Sequence, residues 1–193
     1  MDSVPDVGEI EGEVKQEPLD AEAQARKRLA LAQIRQYPDP ALRMQARAVE
    51  TIDDELRRLV ERMTALMQDA NGVGLAATQV GVLQRVFVFQ VEEDEPRALV
   101  NAEIVERADE TAIDDEGCLS LQGVLVPVER PISVTIVGKD EGGRDTRLEL
   151  EDLRARVAQH ELDHLDGVLI LDRTTREARK EALATLRPRL VIG

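Results

Sequence analysis

Both histidines of this 193-residue chain fall in one short segment, Gln159-His160-Glu161-Leu162-Asp163-His164-Leu165-Asp166-Gly167. In a helix, positions i and i+4 lie one turn apart on the same face. Two imidazoles so placed reach a single metal ion. Glu161, about 100° around the helix from His160, can address a water on that ion without ligating it. Leu153 and Val157 precede the histidines at spacings of four, three and four, which predicts that the histidine face is also the buried face. Gly167 supplies a C-terminal stop. The alternative is an amphipathic helix that carries two histidines by coincidence. Two ligands are too few for a tight site, so a third has to come from elsewhere in the chain.

The length suits one domain with a single core. Tyr37, Phe87 and Phe89 are the only aromatic residues, so that core is built from Leu, Val, Ile, Ala and Met. A lone cysteine, Cys118, excludes an intrachain disulfide and fits a reducing compartment. There is no apolar run of membrane-spanning length and no basic-then-apolar leader, which points to a cytoplasmic protein. A formal charge of −14 argues against DNA or general nucleic-acid binding. Half of that charge sits in residues 1–25, where eight acids face one lysine, while residues 172–193 carry six bases against three acids.

Residues 1–33 read as an acidic N-terminal extension, and residues 34–193 as the single compact domain. Within the extension, 1–19 have no hydrophobic period and read as a disordered tail, and 20–34 as a short helix capped by Asp20. Tyr37-Pro38-Asp39-Pro40 makes a turn. Residues 53–70 form the clearest conventional helix: Leu56, Leu59, Val60, Met63, Met67 and Ala70 make one apolar stripe, so Met63 and Met67 belong to the core. Asn71-Gly72 ends it. The stretch Gly72-Val73-Gly74-Leu75-Ala76-Ala77-Thr78-Gln79-Val80-Gly81 holds three glycines and one amide side chain. It lacks a phosphate-loop pattern and fits either a tight connection into the next strand or a site, where Gln79 offers both a donor and an acceptor. β-rich runs follow at Arg85–Val91, Arg97–Val105, Val124–Val128, Ser133–Val137 and Thr146–Leu150, with Gly142-Gly143 as a hairpin turn. Helices at both ends with antiparallel-type strands between them give an α+β class.

Between two of these strands lies Asp115-Glu116-Gly117-Cys118-Leu119-Ser120. A lone cysteine is commonly a small buried hydrophobe. The acids beside Cys118 disfavour a free thiolate nucleophile, but a metal binds the thiolate outright. With His160 and His164 it completes a Cys-His-His set that leaves a fourth position for water.

Three motifs now stand in order: Gly72-Val73-Gly74-Leu75-Ala76-Ala77-Thr78-Gln79, Glu116-Gly117-Cys118-Leu119-Ser120, and Gln159-His160-Glu161-Leu162-Asp163-His164. Together they closely resemble the signature motifs of the peptide deformylases, over a stretch from about Ile34 to about Leu171. The resemblance implies antiparallel sheets packed around a central helix carrying His-Glu-x-x-His. It also implies a metal-dependent hydrolase that removes the formyl group from N-formylmethionine of newly made polypeptides, releasing formate. On this resemblance Cys118, His160 and His164 bind the metal and Glu161 is the acid/base. The amide of Gln79 and the backbone N–H of Leu119 bind the oxyanion, Gly74 pairs with the substrate backbone, and Val73, Leu153 and Val157 line the methionine pocket. The ion implied is Fe²⁺, with Zn²⁺, Ni²⁺ or Co²⁺ tolerated; residue chemistry alone would favour Zn²⁺. N-formylmethionyl nascent peptides are the implied partners, with a transient ribosome contact through Arg173–Arg189 rather than the acidic end.

The sequence departs from the family pattern at Leu125, where many relatives carry an arginine shortly after the cysteine motif, and in the acidic extension. Two other classes use part of the same pattern. A metallopeptidase takes its third ligand downstream, where Asp172, Glu177 and Glu181 are the candidates. A non-catalytic metal module needs neither Glu161 nor Gln79.

Overall fold

The computed structural model describes residues 21–92 and 94–187. The expected tail 1–19, the expected cap Asp20 and the basic Arg189 lie outside them. Helix α1 (Ala21–Leu31) rests its last turn on the core through Ala30. It stops three residues short of the expected end. Gln33 and Ile34 donate to the carbonyls of Ala30 and Leu31, three residues back, in a turn that carries Ile34 into the core. The proline-rich turn leads to a short 3-10 helix, Pro40–Arg43, capped by the Asp39 carboxylate on the Ala41 N–H.

Helix α2 (Asp54–Asp69) starts at Asp53, whose carboxylate accepts from the N–H groups of Glu55 and Leu56. Its buried stripe is Leu56, Val60, Met63, Leu66 and Met67. Met63 and Met67 are fully buried. Met63→Ala should therefore cost about 2–5 kcal/mol of stability, read from the midpoint of denaturant unfolding, because the site has no solvent to fill the space left.

The strands are β1 (Gly74–Ala76), β2 (Val86–Phe89), β3 (Arg97–Arg107), β4 (Thr111–Glu116), β5 (Val126–Pro131), β6 (Ser133–Lys139) and β7 (Asp145–Glu151). Five make one sheet in the order β1-β2-β3-β6-β7, and β4-β5 make a separate two-stranded sheet. Every pairing of named strands is antiparallel. The class is α+β. Two of these strands have no counterpart in the sequence reading. Residues 74–76, read as connection or site, form the edge strand β1. Strand β4 was not among the expected strands, because Thr-Ala-Ile-Asp-Asp-Glu is largely exposed and shows no apolar alternation.

The alternation in β2 reflects burial on both faces. Val86 and Val88 pack with α2 in one core. Phe87 and Phe89 pack in another with Leu99, Ile136 and Leu150 against Ala155, Val157, Ala158, Leu162 and Leu165 of α3 (Asp152–Leu165). The other side of α3 meets the β4–β5 hairpin, where Arg156 donates to the carbonyls of Val128 and Ala112. So α3 lies between two sheets, which is why even its polar residues Arg156, Gln159, Glu161, Asp163 and His164 are buried. Leu153 differs from the reading that put it on the buried face: it is 47% exposed. The face it shares with the histidines opens into a cleft before it reaches the core.

Gly167 ends α3 in the left-handed region, φ 73°, and an added Cβ there would lie 2.6 Å from the Arg43 carbonyl oxygen. Two short helices, α4 (Ile170–Arg173) and α5 (Arg176–Thr185), follow and pack on β5 in a third apolar cluster with Leu42 and Leu121. Among the described residues, no helix is long and apolar enough to cross a membrane.

Candidate metal centre

The helical register brings the two imidazoles of α3 to one spot, with their Nε2 atoms 3.2 Å apart. The loop that leaves β4 brings Cys118 to the same spot, its Sγ 3.2 Å from Nε2 of His164. The ligand atoms of Cys118, His160 and His164 all lie within 4.8 Å of one another, the only such group of three among the described residues. Two facing imidazole nitrogens repel unless a proton or a cation lies between them. Ligand atoms roughly 2.0–2.1 Å from one tetrahedral ion would stand about 3.3 Å apart, close to the spacing found. The donor set therefore fits a metal ion, and its mix of thiolate and imidazole suits a transition metal.

Glu116 is the residue the sequence reading did not pick out. It is buried at the end of β4 and meets Nδ1 of His160 at 3.0 Å. The Arg130 guanidinium donates to both of its oxygens at 2.6 and 2.9 Å, and Arg156 adds a bond of 2.7 Å. Burial raises its pKa, but the hydrogen bonds from His160 and Arg130 outweigh that and hold it at about 2. An ionised Glu116 fixes the ring of His160 with Nε2 turned to the ligand cluster. Arg130 also bonds Asp163, which accepts from Arg173 as well, so the far side of α3 is tied to the same network.

The surroundings of His160 and His164 pull their pKa values in opposite directions. Burial lowers both, but contacts with Cys118 and Glu116 carry His160 well above its ordinary value. His164 is held well below, by burial and by the charge on His160. Contacts with Cys118 and Glu116 thus favour the protonated form of His160, which competes with a metal ion for its ring nitrogen. A ligating nitrogen must be deprotonated, so metal uptake should release protons and weaken as pH falls. Calorimetric titration in buffers of different ionisation enthalpy reads that release directly, and buffer-independent heats would show that no proton leaves.

Glu161 is 3% exposed, and its Oε2 finds no hydrogen-bond partner among the described residues. Burial pushes its pKa up to about 7, with His160 pulling down and Glu116 pushing further up. Gly74 of β1 lies directly against it: an added Cβ would stand 2.8 Å from Cδ of Glu161 and overlap the carboxylate. Gly74→Ala should displace that carboxylate and lower turnover by on the order of 10², with metal content unchanged. Turnover within a few-fold of wild type would show that Glu161 has room to move.

Gln79 lies in a 3-10 helix, Ala77–Val80, and is buried, not in an open loop. Its Oε1 accepts from the Ala76 N–H at 2.8 Å, and Nε2 donates to Ser120 Oγ at 3.0 Å and approaches Cys118 Sγ at 3.6 Å. The backbone N–H of Leu119 has no acceptor among the described residues, while its carbonyl accepts from Gln36. These groups open on a cleft of about 560 Å³ whose walls include Val73, Gly74, Leu119, Leu153, Val157 and His160. Leu125, 71% exposed, adds to its apolar rim. Nine of the ten site residues expected from the sequence line this cleft; the tenth, His164, is buried beside Cys118 and His160 and does not line it.

The family model for polypeptide deformylase matches residues 31–180. The chain belongs to the polypeptide deformylase family. It is 46% identical over 149 residues to the peptide deformylase of Clostridium botulinum (strain Alaska E43 / Type E3), covering 77% of this chain and all of that one. It is 42% identical over 153 residues to that of Natranaerobius thermophilus, covering 79% and 98%. Among solved structures, the peptide deformylase from Synechococcus elongatus in complex with actinonin superposes with a TM-score of 0.76 at 42% identity, covering 79% of this chain and 85% of that one. The Legionella pneumophila peptide deformylase gives a TM-score of 0.76 at 38% identity, over 79% and 91%. The deformylase match leaves out residues 1–30, which contain the acidic segment.

Proposed function

We propose that this cleft hydrolyses the formamide of N-formylmethionine at the start of newly made polypeptides, releasing formate and a free amino terminus. The observation that carries this reading is the convergence of Cys118, His160 and His164 beside a buried carboxylate, Glu161, with one oxygen unpartnered. A divalent ion held by those three residues would supply Lewis-acid activation of water and of the formyl carbonyl. The chain's own residues do the rest. Glu161 takes a proton from the attacking water and delivers it to the leaving amine, a task suited to a group poised near neutral pH. The Leu119 N–H and the second hydrogen of Gln79 Nε2 hold the negative charge that develops on the formyl oxygen.

Strand β1 lies at the edge of its sheet, with β2 on one side and the cleft on the other. An extended peptide can add to that edge, with the backbone at Gly74 setting its register. Val73, Leu153 and Val157 give an apolar seat for the methionine side chain. Leu125 offers apolar contact further out, where an arginine would offer a polar one. The ion in the cell is Fe²⁺ in this reading, with Zn²⁺, Ni²⁺ and Co²⁺ able to take the same donors. A ribosome contact through the C-terminal stretch would rest on Arg176 and Lys180, which are exposed, since Arg173 and Arg179 are paired with Asp163 and Asp172.

The metallopeptidase reading is disfavoured by geometry. Asp172 is occupied with Arg43 and Arg179, and neither Glu177 nor Glu181 belongs to the ligand group. The metal-loaded chain should release formate from formyl-Met-Ala-Ser and leave acetyl-Met-Ala-Ser and a folded protease substrate intact. Cleavage of an internal peptide bond without formate release would replace this reading with a protease.

A further inference from the structure

We infer that Ser120 is a positioning residue that aims the amide of Gln79 at the reacting carbonyl. This rests on the assignment of Gln79 as an oxyanion donor. Gln79 and Ser120 are both buried, at 1% and 0% exposure, so neither side chain has water to fall back on. The orientation of the amide is decided by Ala76: a backbone N–H can only donate, and it bonds Oε1 of Gln79 at 2.8 Å. The NH₂ end must then point the other way. Its first hydrogen goes to Ser120 Oγ at 3.0 Å.

A primary amide is planar, with its two N–H bonds about 120° apart. Once Ala76 and Ser120 hold one oxygen and one hydrogen, the direction of the second hydrogen is fixed. It faces Cys118 Sγ at 3.6 Å, a long contact that leaves it available to a stronger acceptor beside the ligand cluster. The last torsion of a glutamine side chain is broad and has no strong preference of its own. Without the Ser120 oxygen, the amide can rock about its bond to Ala76 and lose its aim. Ser120 also reaches Cys118 Sγ at 3.4 Å, but through its backbone N–H, which a side-chain substitution keeps. A change at the Ser120 side chain therefore separates the amide's aim from the metal ligand.

The experiment is a double-mutant cycle on the metal-loaded enzyme with formyl-Met-Ala-Ser, in which kcat, KM and metal content are measured for Ser120→Ala, Gln79→Ala and the pair. Ser120→Gly removes the same oxygen and serves if the alanine variant does not fold. Gln79→Ala should lose about 10²–10³ in kcat. Ser120→Ala should lose at least fivefold in kcat, with KM and metal content near wild type, and should add nothing in the Gln79→Ala background. A loss below fivefold, or an equal loss in both backgrounds, would overturn the inference and leave Ser120 as packing. Full activity of Gln79→Ala would remove the oxyanion role of Gln79 and this inference with it. A deficient Gln79→Ala beside an intact Ser120→Ala removes the inference alone.

Discussion

Glu161→Gln should lower turnover of a formylated tripeptide by roughly 10²–10⁴, the usual worth of a positioned acid/base group, while metal content stays at the wild-type level. The side chain is buried against Gly74 and stands outside the group of three ligand residues. Glutamine keeps the size and one acceptor oxygen but carries no titrating proton. The loss belongs to the transition state, so KM should move far less than kcat. Glu161→Ala should behave similarly, with a further penalty from the space it leaves. Retained turnover would show that the proton travels by another route. Lost metal would make Glu161 a ligand or a support of one.

Cys118→Ala, His160→Ala and His164→Ala should each lose stoichiometric metal and activity together. The three donor atoms are mutually close and form the only such group of three among the described residues. The His160 variant carries an added cost. It leaves Glu116 ionised and buried with Arg130 and Arg156 but without the imidazole it orients, so its stability should fall as well. Wild-type metal content in any one variant would remove that residue from the ligand set.

Two of the three candidate ligands were legible because their spacing is local. His160 and His164 are one helical turn apart, and Glu161 follows from the same register, so a helix period is enough to place all three. Cys118 was legible as the only thiol in the chain. The orienting residues were not, because their roles arise only when β4 and β5 fold against α3. Glu116 reads as one acid among many until Arg130, fourteen residues on, and His160 close around it. Strand β4 escaped for a related reason: most of its residues are exposed, so it shows no apolar alternation. The three residues of β1 are too short for any period, and their glycine and alanine read as a connection. Leu153 fits the helical stripe by spacing but faces the cleft, since one face of α3 meets open space at its first turn. Conversely the stripe of α2 was read almost complete, because that helix packs on a single side.

The central claim is that one ion, held by Cys118, His160 and His164, drives deformylation in this cleft. Chelator-stripped protein titrated anaerobically with Fe²⁺, and separately with Zn²⁺, Ni²⁺ and Co²⁺, while formate release from formyl-Met-Ala-Ser is followed, tests it most directly. Activity should be absent without metal and rise linearly to a break at one equivalent. With Fe²⁺ it should then decay in air as the iron or Cys118 is oxidised. Formate release that persists in the stripped protein, or a break well away from one equivalent, would contradict the single-ion centre.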